Sequence, residues 1–556
     1  MENILSFKME ENLEGNKLIN NQYSYLKSCL NKKAQLIDKK LKSPLNFQYH
    51  YASFVLSSIL FKDYKNTEKV LNYYLSIPKN VMKPSNDFNV MLLSFAIMFD
   101  GDGILKKEKI LKTFYHNSDD DIYRLNNNFR ALRLVGMILE TKLNNIEFNQ
   151  KIKDEIEWIL DLQFDDGFFP DSNMEYKVEK NNGVPHLTYH TKIMMCVGLA
   201  YLYTKDERLK QSFFKALQVL LEVSIDNYYF FYGRSTNALF GYGSLYLVLV
   251  LAYKFSNNEY FVVKAKKLLD FLKNYQHKDG HISINLNKND SKRHGFDGYI
   301  YDIVYNTYSN VLFLLGNRLL NEIEFESYDF KLNNSKIKIY KDSGFVVYNI
   351  KNTKYCLNLK GHQNSLKHRF DSRVSPFSLL YFQKDNQNLL PAVGFYPQPI
   401  LRLVENKFTF PWIWQRVKNI YWRIFYRQYL PSLSGNTFCY LRGDKLFYPF
   451  ELVKFIKIYN KIILKFKTKT LKEDIFDECV ISIDLEDIVN YKILFYEEVE
   501  KLLYSIRKLD NSLKVVFNAE NKLIKAFNIE SSFKKGVLEV YEFSKLKNLG
   551  VKIVYT

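Results

Sequence analysis

The sequence predicts an α+β multidomain protein. An N-terminal (α/α) toroid, read as an incomplete barrel, covers residues 1–325, and a C-terminal antiparallel β-sandwich covers residues 326–556. Three observations predict this. Up to about residue 325, apolar residues recur at three- and four-residue intervals, the helix period. Beyond that point they fall in short, partly alternating runs, the strand period. Within the helical half, two turns built on Gln and Asp-Gly echo each other, as expected of repeated helical hairpins. A chain of 556 residues also exceeds one ordinary core, since domains commonly run to about 150 residues.

In chain order, helical periodicity marks Phe54 to Phe61, Val90 to Met98, Phe129 to Leu139, Ile152 to Leu162, Ile193 to Tyr203, Phe213 to Val223, Leu239 to Tyr253, Tyr260 to Leu272 and Tyr305 to Leu319. Polar or glycine-bearing loops separate them. Helices that pair and repeat in this way pack as a ring or a solenoid. The echoing turns are QFDDGFFPD at 163–171 and YQHKDGHISI at 275–284. In each, a Gln near a helix end precedes an acidic-Gly turn, where Gly accepts the positive φ that a tight turn needs.

After residue 326 the runs are SGFVVYNIK, KYCLNLKG, SPFSLLYFQ, GNTFCYLRG, KIILKFKTK, CVISIDLE, SLKVVFNAE, GVLEVYEFS and GVKIVYT. They are rich in Val, Ile, Tyr and Phe, and turn residues separate them, which predicts the many-stranded sandwich. Ile400 to Tyr429 interrupts the pattern with Trp412, Trp414 and Trp422 among basic residues, and reads as a packed amphipathic flap.

Composition narrows the partners. With 47% hydrophobic and 25% charged residues the chain is ordinary globular protein. The 42 Tyr and 44 Phe accompany abundant Lys and Asn, a coding bias, so they are not taken as a sign of sugar stacking. A net charge of +19 favours polyanionic partners through its summed potential. No RRM or zinc-finger pattern accompanies it, so nucleic acid is not expected.

Cys29, Cys196, Cys356, Cys439 and Cys479 lack CxxC spacing and read as reduced, buried thiols. His277 and His281 are four apart, but Asp279-Gly280 breaks the helix that would put them on one face. His362 and His368 with Asp371 are a lesser divalent-ion alternative, and no obligatory cofactor or metal is expected. Ala238 to Phe255 carries Gly241 and Gly243 and suits a core helix better than a membrane span. The first twenty residues lack a basic start followed by an apolar run, so a cytoplasmic location is expected.

The stretch 163–203 joins the first Asp-Gly turn, a polar loop and the pair Tyr189-His190 at the opening of an apolar helix. A Tyr beside a His at such a junction can move protons on a substrate lying over the helix ends, which favours an enzyme. Upstream, LNNNFRALRLVGMILE opens another helix with Asn126, Asn127 and Asn128; downstream, GHQNSLKHRFDSRVSPFSLLYF brings His362, His368 and Asp371 ahead of a strand. These features, in this order, resemble the heparinase II/III-like polysaccharide lyases, a group related to alginate lyases.

The resemblance implies a toroid-plus-sandwich enzyme that cleaves an acidic, uronate-containing glycan by β-elimination. It aligns Asn126 and Asn127 with the two Asn of the family's Asn-Asn-His motif, and Asn128 stands where the family has His. Tyr189 inherits the role of catalytic Tyr, and His190 or His368 shares the acid-base work. Tyr305 is a further residue that can line the cleft.

The chemistry suits these residue types. Removing the proton beside a uronate carboxylate builds up negative charge that aimed hydrogen bonds must stabilise. Asn127 can donate two such bonds whatever the pH, with Asn126, Asn128 or Arg234 in support. Tyr189 must be deprotonated to act as base, and a nearby cation such as Arg234 lowers a Tyr pKa. His186, His362, Asp371 and Tyr305 complete the candidate substrate contacts. Three alternatives stay open: a uronyl C5-epimerase, a glycoside hydrolase using Asp165, Asp166 and Asp171 or Asp297 and Asp302, and a noncatalytic glycan-binding or assembly protein.

Overall fold

The computed structural model describes residues 16–114 except 40–41, 79–80 and 82–84, then 126–171, 187–224, 238–284, 301–331, 337–340, 342–350 and 353–358, and the later strands by their backbone. The described helices are α1 (Lys17–Ser28), α2 (His50–Leu60), α3 (Tyr64–Ser76), α4 (Asn86–Phe99), α5 (Lys107–Phe114), α6 (Asn127–Asn144), α7 (Gln150–Leu162), α8 (Leu187–Thr204), α9 (Glu207–Glu222), α10 (Ala238–Ser256), α11 (Glu259–Lys273) and α12 (Asp302–Glu322). Every helix read from periodicity is among them.

The even-numbered helices form an inner ring. In it α2 packs on α4, α4 on α6, α6 on α8, α8 on α10, α10 on α12 and α12 back on α2. Each odd-numbered helix lies outside against an inner neighbour, α1 packing on α12 and the others on the helix that precedes them. The expected incomplete barrel is thereby corrected: the contacts of α12 with α1 and α2 close the ring.

Sequence character explains which helix goes where. An inner helix has neighbours on both flanks and behind, so it must be apolar nearly all round. In α10 the run LFGYGSLYLVLVLAYKF meets that demand, and the apolar window Leu239–Ser256, long enough to cross a membrane, is 94% buried inside the protein. Outer helices are two-faced. In α9, Leu209, Phe213, Ala216, Leu217 and Leu220 are buried, while Glu207, Arg208, Gln211 and Lys215 face solvent.

The inner-to-outer connections are tight. Lys62, Asn145, Lys205 and Asn257 follow inner helices with φ between 50° and 59°, the left-handed conformation that stops a helix. After α2 the Lys62 N–H bonds to Ile59 O and the Asp63 N–H to Ser58 O, a complete Schellman closure, and Asn145 and Ile146 repeat it after α6. After α6, α8 and α10 the outer helix then starts on an Asp or Asn cap: Asn149 Oδ1 accepts from Ile152 N, Asp206 Oδ1 from Arg208 N and Asn258 Oδ1 from Tyr260 N, each at 3.0 Å.

The two echoing turns prove to be one device used twice. Gln163 Nε2 donates to Gly167 O at 2.8 Å and to Ser212 O on α9 at 3.0 Å. Gln276 Nε2 donates to Gly280 O at 2.9 Å and to Leu18 O on α1 at 2.8 Å. Gly167 and Gly280 have φ of +96° and +99°, and a Cβ on either would strike a backbone oxygen of the next outer helix, Lys215 O or Asn21 O. Each Gln therefore closes its own turn and ties it to the neighbouring hairpin.

Beyond the ring the chain becomes antiparallel sheet. Strands β1 (Ile337–Tyr340), β2 (Phe345–Ile350), β3 (Thr353–Asn358), β4 (Ser378–Lys384) and β5 (Gln387–Asn388) pair in sequence order. Further on, the strands Phe450–Ile458, Lys461–Lys469 and Phe476–Asp484 form a meander. The longest pairing joins Asn490–Lys508 to Lys535–Tyr555; the latter is one continuous strand where GVLEVYEFS and GVKIVYT read as two. Of the expected Trp-rich flap, only the strand Arg402–Glu405 is described.

The first hairpin docks on the ring. Asp166 Oδ2 accepts from both the Ser343 N–H and its hydroxyl at 2.8 Å. Glu222 at the end of α9 accepts from the Tyr340 hydroxyl and pairs with Lys338 at 2.9 Å.

Candidate active site

Tight hairpins make all inner helices parallel, so their first turns meet at one end of the ring. Aromatic contacts between those first turns show it directly. Tyr49 stacks on Phe88 with centroids 3.8 Å apart, Phe88 meets Phe129 edge-on at 5.6 Å, and Phe240 lies 6.4 Å from Tyr189, 5.9 Å from Tyr305 and 5.0 Å from Tyr308. The helices that follow the long connections 29–49, 163–186, 223–237 and 274–301 all begin at this end, whereas the opposite end has the tight turns. Long loops on a rigid scaffold are where function concentrates.

Beneath this aromatic floor lies a buried polar chain. Asn128 Nδ2 donates to Asp171 Oδ1 at 2.9 Å, and Asn128 Oδ1 accepts from Lys192 Nζ at 2.9 Å. Lys192 is 1% exposed, with its ammonium 4.0 Å from the Phe88 ring centroid, 4.8 Å from Phe129 and 5.4 Å from Phe240. Burial pulls its pKa down to about 7, against the opposing pull of Cys196, Asp171 and Asp87. Asp87 is itself paired with Arg133 Nε at 2.8 Å.

The candidates from sequence fall into distinct groups. Asn127 and Asn128 open α6, and Tyr189 lies in the first turn of α8, the helix packed beside it. Asn127 Nδ2 donates to Pro170 O at 3.0 Å, so residues 170–171 hold both amides. Asn126 is the N-cap of α6 and makes no side-chain cap bond. Tyr305 joins the aromatic floor from α12. His186, Arg234, His294, Asp297, His362, His368 and Asp371 lie outside the described residues.

His190 is a correction. It is fully buried, its Nδ1 accepts the Phe169 N–H at 2.9 Å, its Nε2 lies 3.1 Å from Ala216 O, and its ring stacks on Phe168 at 4.2 Å. Both ring nitrogens serve backbone groups, and burial holds its pKa down to about 3. It positions the 163–171 turn instead of transferring protons. The reason is helical geometry: residues next to each other on a helix point about 100° apart, so Tyr189 and His190 cannot share a target.

Asp166 is likewise spent on Ser343 and on the Phe168 N–H, consistent with turn formation. Asp171 alone of that acidic cluster is drawn into the mouth, through Asn128. Cys29, Cys196 and Cys356 are buried thiols, and burial raises the pKa of each. Among the described residues no group of acidic, His and Cys side chains is arranged to hold a metal ion.

Lys192 is the residue that the sequence reading passed over. A signal was present: it is the one charged residue in LTYHTKIMMCVGLAYLYT, and a charge inside an apolar helix needs a buried partner.

No known family model and no curated protein matches the sequence. Among solved structures, the chain is similar to the chondroitin AC lyase of Streptomyces coelicolor A3 in complex with chondroitin sulphate, at TM-score 0.51 and 8% identity, over 97% of this chain and 79% of that one. It is also similar to a heparan sulfate lyase mutant from Pedobacter heparinus (TM-score 0.27, 10% identity, 89% and 76% covered) and to a GH76 α-mannanase from Bacteroides thetaiotaomicron (0.39, 13%, 55% and 96%). The first likeness is one of fold, and with the closed double ring it defines an α/α-toroid protein.

Proposed function

We propose that the protein is a glycan-processing enzyme that cleaves an acidic, uronate-containing polysaccharide or oligosaccharide by β-elimination at the mouth of the ring. The carrying observation is the convergence of the α6 amides and Tyr189 on neighbouring first turns, with residues 170–171 and Lys192 holding the amides in place. In this reading Tyr189 takes the proton beside the carboxylate and returns it to the leaving oxygen. Asn127, supported by Asn126 and Asn128, steadies the charge that develops on the carboxylate. Parallel inner-helix dipoles and the net positive charge favour an anionic substrate.

The experiment is incubation with a panel of uronate glycans in heavy water, following ultraviolet absorbance and deuterium next to the carboxylate. Absorbance from a conjugated alkene, lost in Tyr189→Phe, is the expected result. Deuterium uptake without absorbance would replace elimination by epimerisation at the same site. A second reading, hydrolysis, rests on Asp171 at the mouth. It predicts new reducing ends without absorbance, abolished by Asp171→Asn and spared by Tyr189→Phe.

A further inference from the structure

We infer that Lys192 is a positioning residue that gives the candidate site its preference for carboxylate-bearing sugars, acting through Asn128 and resting on the glycan-processing reading above. A lysine ammonium can only donate hydrogen bonds, and an ionised carboxylate can only accept them. Asn128, held between Lys192 Nζ and Asp171 Oδ1 at 2.9 Å each, therefore has one possible orientation: carbonyl toward the lysine, amide nitrogen toward the aspartate. Replacing the lysine by an apolar side chain removes one of the two groups that hold that orientation and leaves the buried Asn128 Oδ1 without its donor, which loosens the amide.

The cage makes the effect strong. Phe88 from α4, Phe129 from α6 and Phe240 from α10 surround the ammonium, so water does not screen it and its charge acts over a longer range than a surface lysine's. The rings also keep it from swinging out to pair with a carboxylate elsewhere. Tyr189 sits three residues earlier on α8, hence on the same face of the helix, one turn nearer the mouth.

The charged and titratable neighbours are Cys196 on the same helix, Asp171 before it, Asp87 on α4 with its partner Arg133 on α6, and Tyr308 on α12, which faces Cys196. Arg133 neutralises Asp87, which leaves Asp171 as the counter-charge, bridged by Asn128. The site is thus a cation, an amide and an anion joined by hydrogen bonds, its cation carried three residues after Tyr189 on α8.

The test uses the intact chain with sodium glucuronate and glucose as probes, affinity being followed by ligand-observed NMR for the wild type, Lys192→Met and Lys192→Arg. The expected result is glucuronate binding well above glucose, weakened by about tenfold or more in Lys192→Met and partly kept in Lys192→Arg, with unchanged glucose binding. Wild-type protein that does not separate the two sugars, or a folded Lys192→Met that binds glucuronate normally, overturns the inference.

Should Lys192→Met fail to fold, the pH dependence of the wild type decides. Glucuronate affinity is expected to fall between about pH 6 and about pH 9 as the buried ammonium loses its proton, and a flat profile overturns the inference. Intact glucuronate selectivity with no turnover of any uronate glycan would remove the enzymatic reading and leave this inference standing.

Discussion

The two ends of the helix ring are built on opposite principles. At the closed end, left-handed residues stop the inner helices and Asp or Asn side chains start the outer ones, so the loose backbone groups find partners within a few residues. At the open end, none of the four inner helices whose N-cap residue is described, α2, α4, α6 and α12, uses that side chain as a cap. Satisfaction there comes from distant segments: Asp38 Oδ2 accepts the Ile303 N–H at 3.1 Å, and Ile284 O accepts the Leu239 N–H at 3.1 Å. One end is locally self-sufficient, and the other depends on the whole ring being assembled.

Open-end changes should therefore separate activity from stability, and closed-end changes should do the reverse. The largest expected effect is Tyr189→Phe, which should reduce turnover of a uronate glycan by about 10²–10⁴-fold while thermal unfolding stays near wild type. A parallel loss of Tm and activity would erase the distinction.

Next come the matched glutamines that join one hairpin to the next. Gln163→Ala and Gln276→Ala each remove hydrogen bonds to two backbone carbonyls, and should each cost about 1–3 kcal/mol in denaturant unfolding. Gln163 is the more buried, so its cost should be the larger; a reversed order would mean that the two turns are not equivalent.

At the closed end, Asp206→Ala should cost about 1 kcal/mol through its lost cap and leave kinetics unchanged. Lys62→Gly should stabilise by about 0.5–1 kcal/mol, because an exposed Lys holds a left-handed conformation that glycine adopts freely.

Acid sensitivity sharpens the same picture. Burial holds both His50 and His190 down to about 3, whereas an unfolded histidine titrates near about 6.5. Between these values the unfolded chain takes up protons that the folded chain refuses, so stability should fall as pH drops through that window. A Tm that stays flat from about pH 7 to about pH 4 would contradict the burial of these rings.

By itself the sequence determined the helices, the Gln and Asp-Gly turns and the change of period near residue 326, because each rests on contacts a few residues long. The core position of α10 was legible on the same grounds, since an all-apolar helix has to be surrounded. The N-terminal amides of α6 and Tyr189 were legible as candidates because they open helices.

The ring's closure, the diversion of His190 to the backbone of Phe169 and Ala216, and the meeting of Asn128, Asp171 and Lys192 were decided only by the tertiary structure. Their partners lie 21, 26, 43 and 64 residues apart. Nothing local in a chain specifies which of its buried polar groups will pair, because that choice is made when packed helices exclude water and leave each group the nearest partner that can satisfy it.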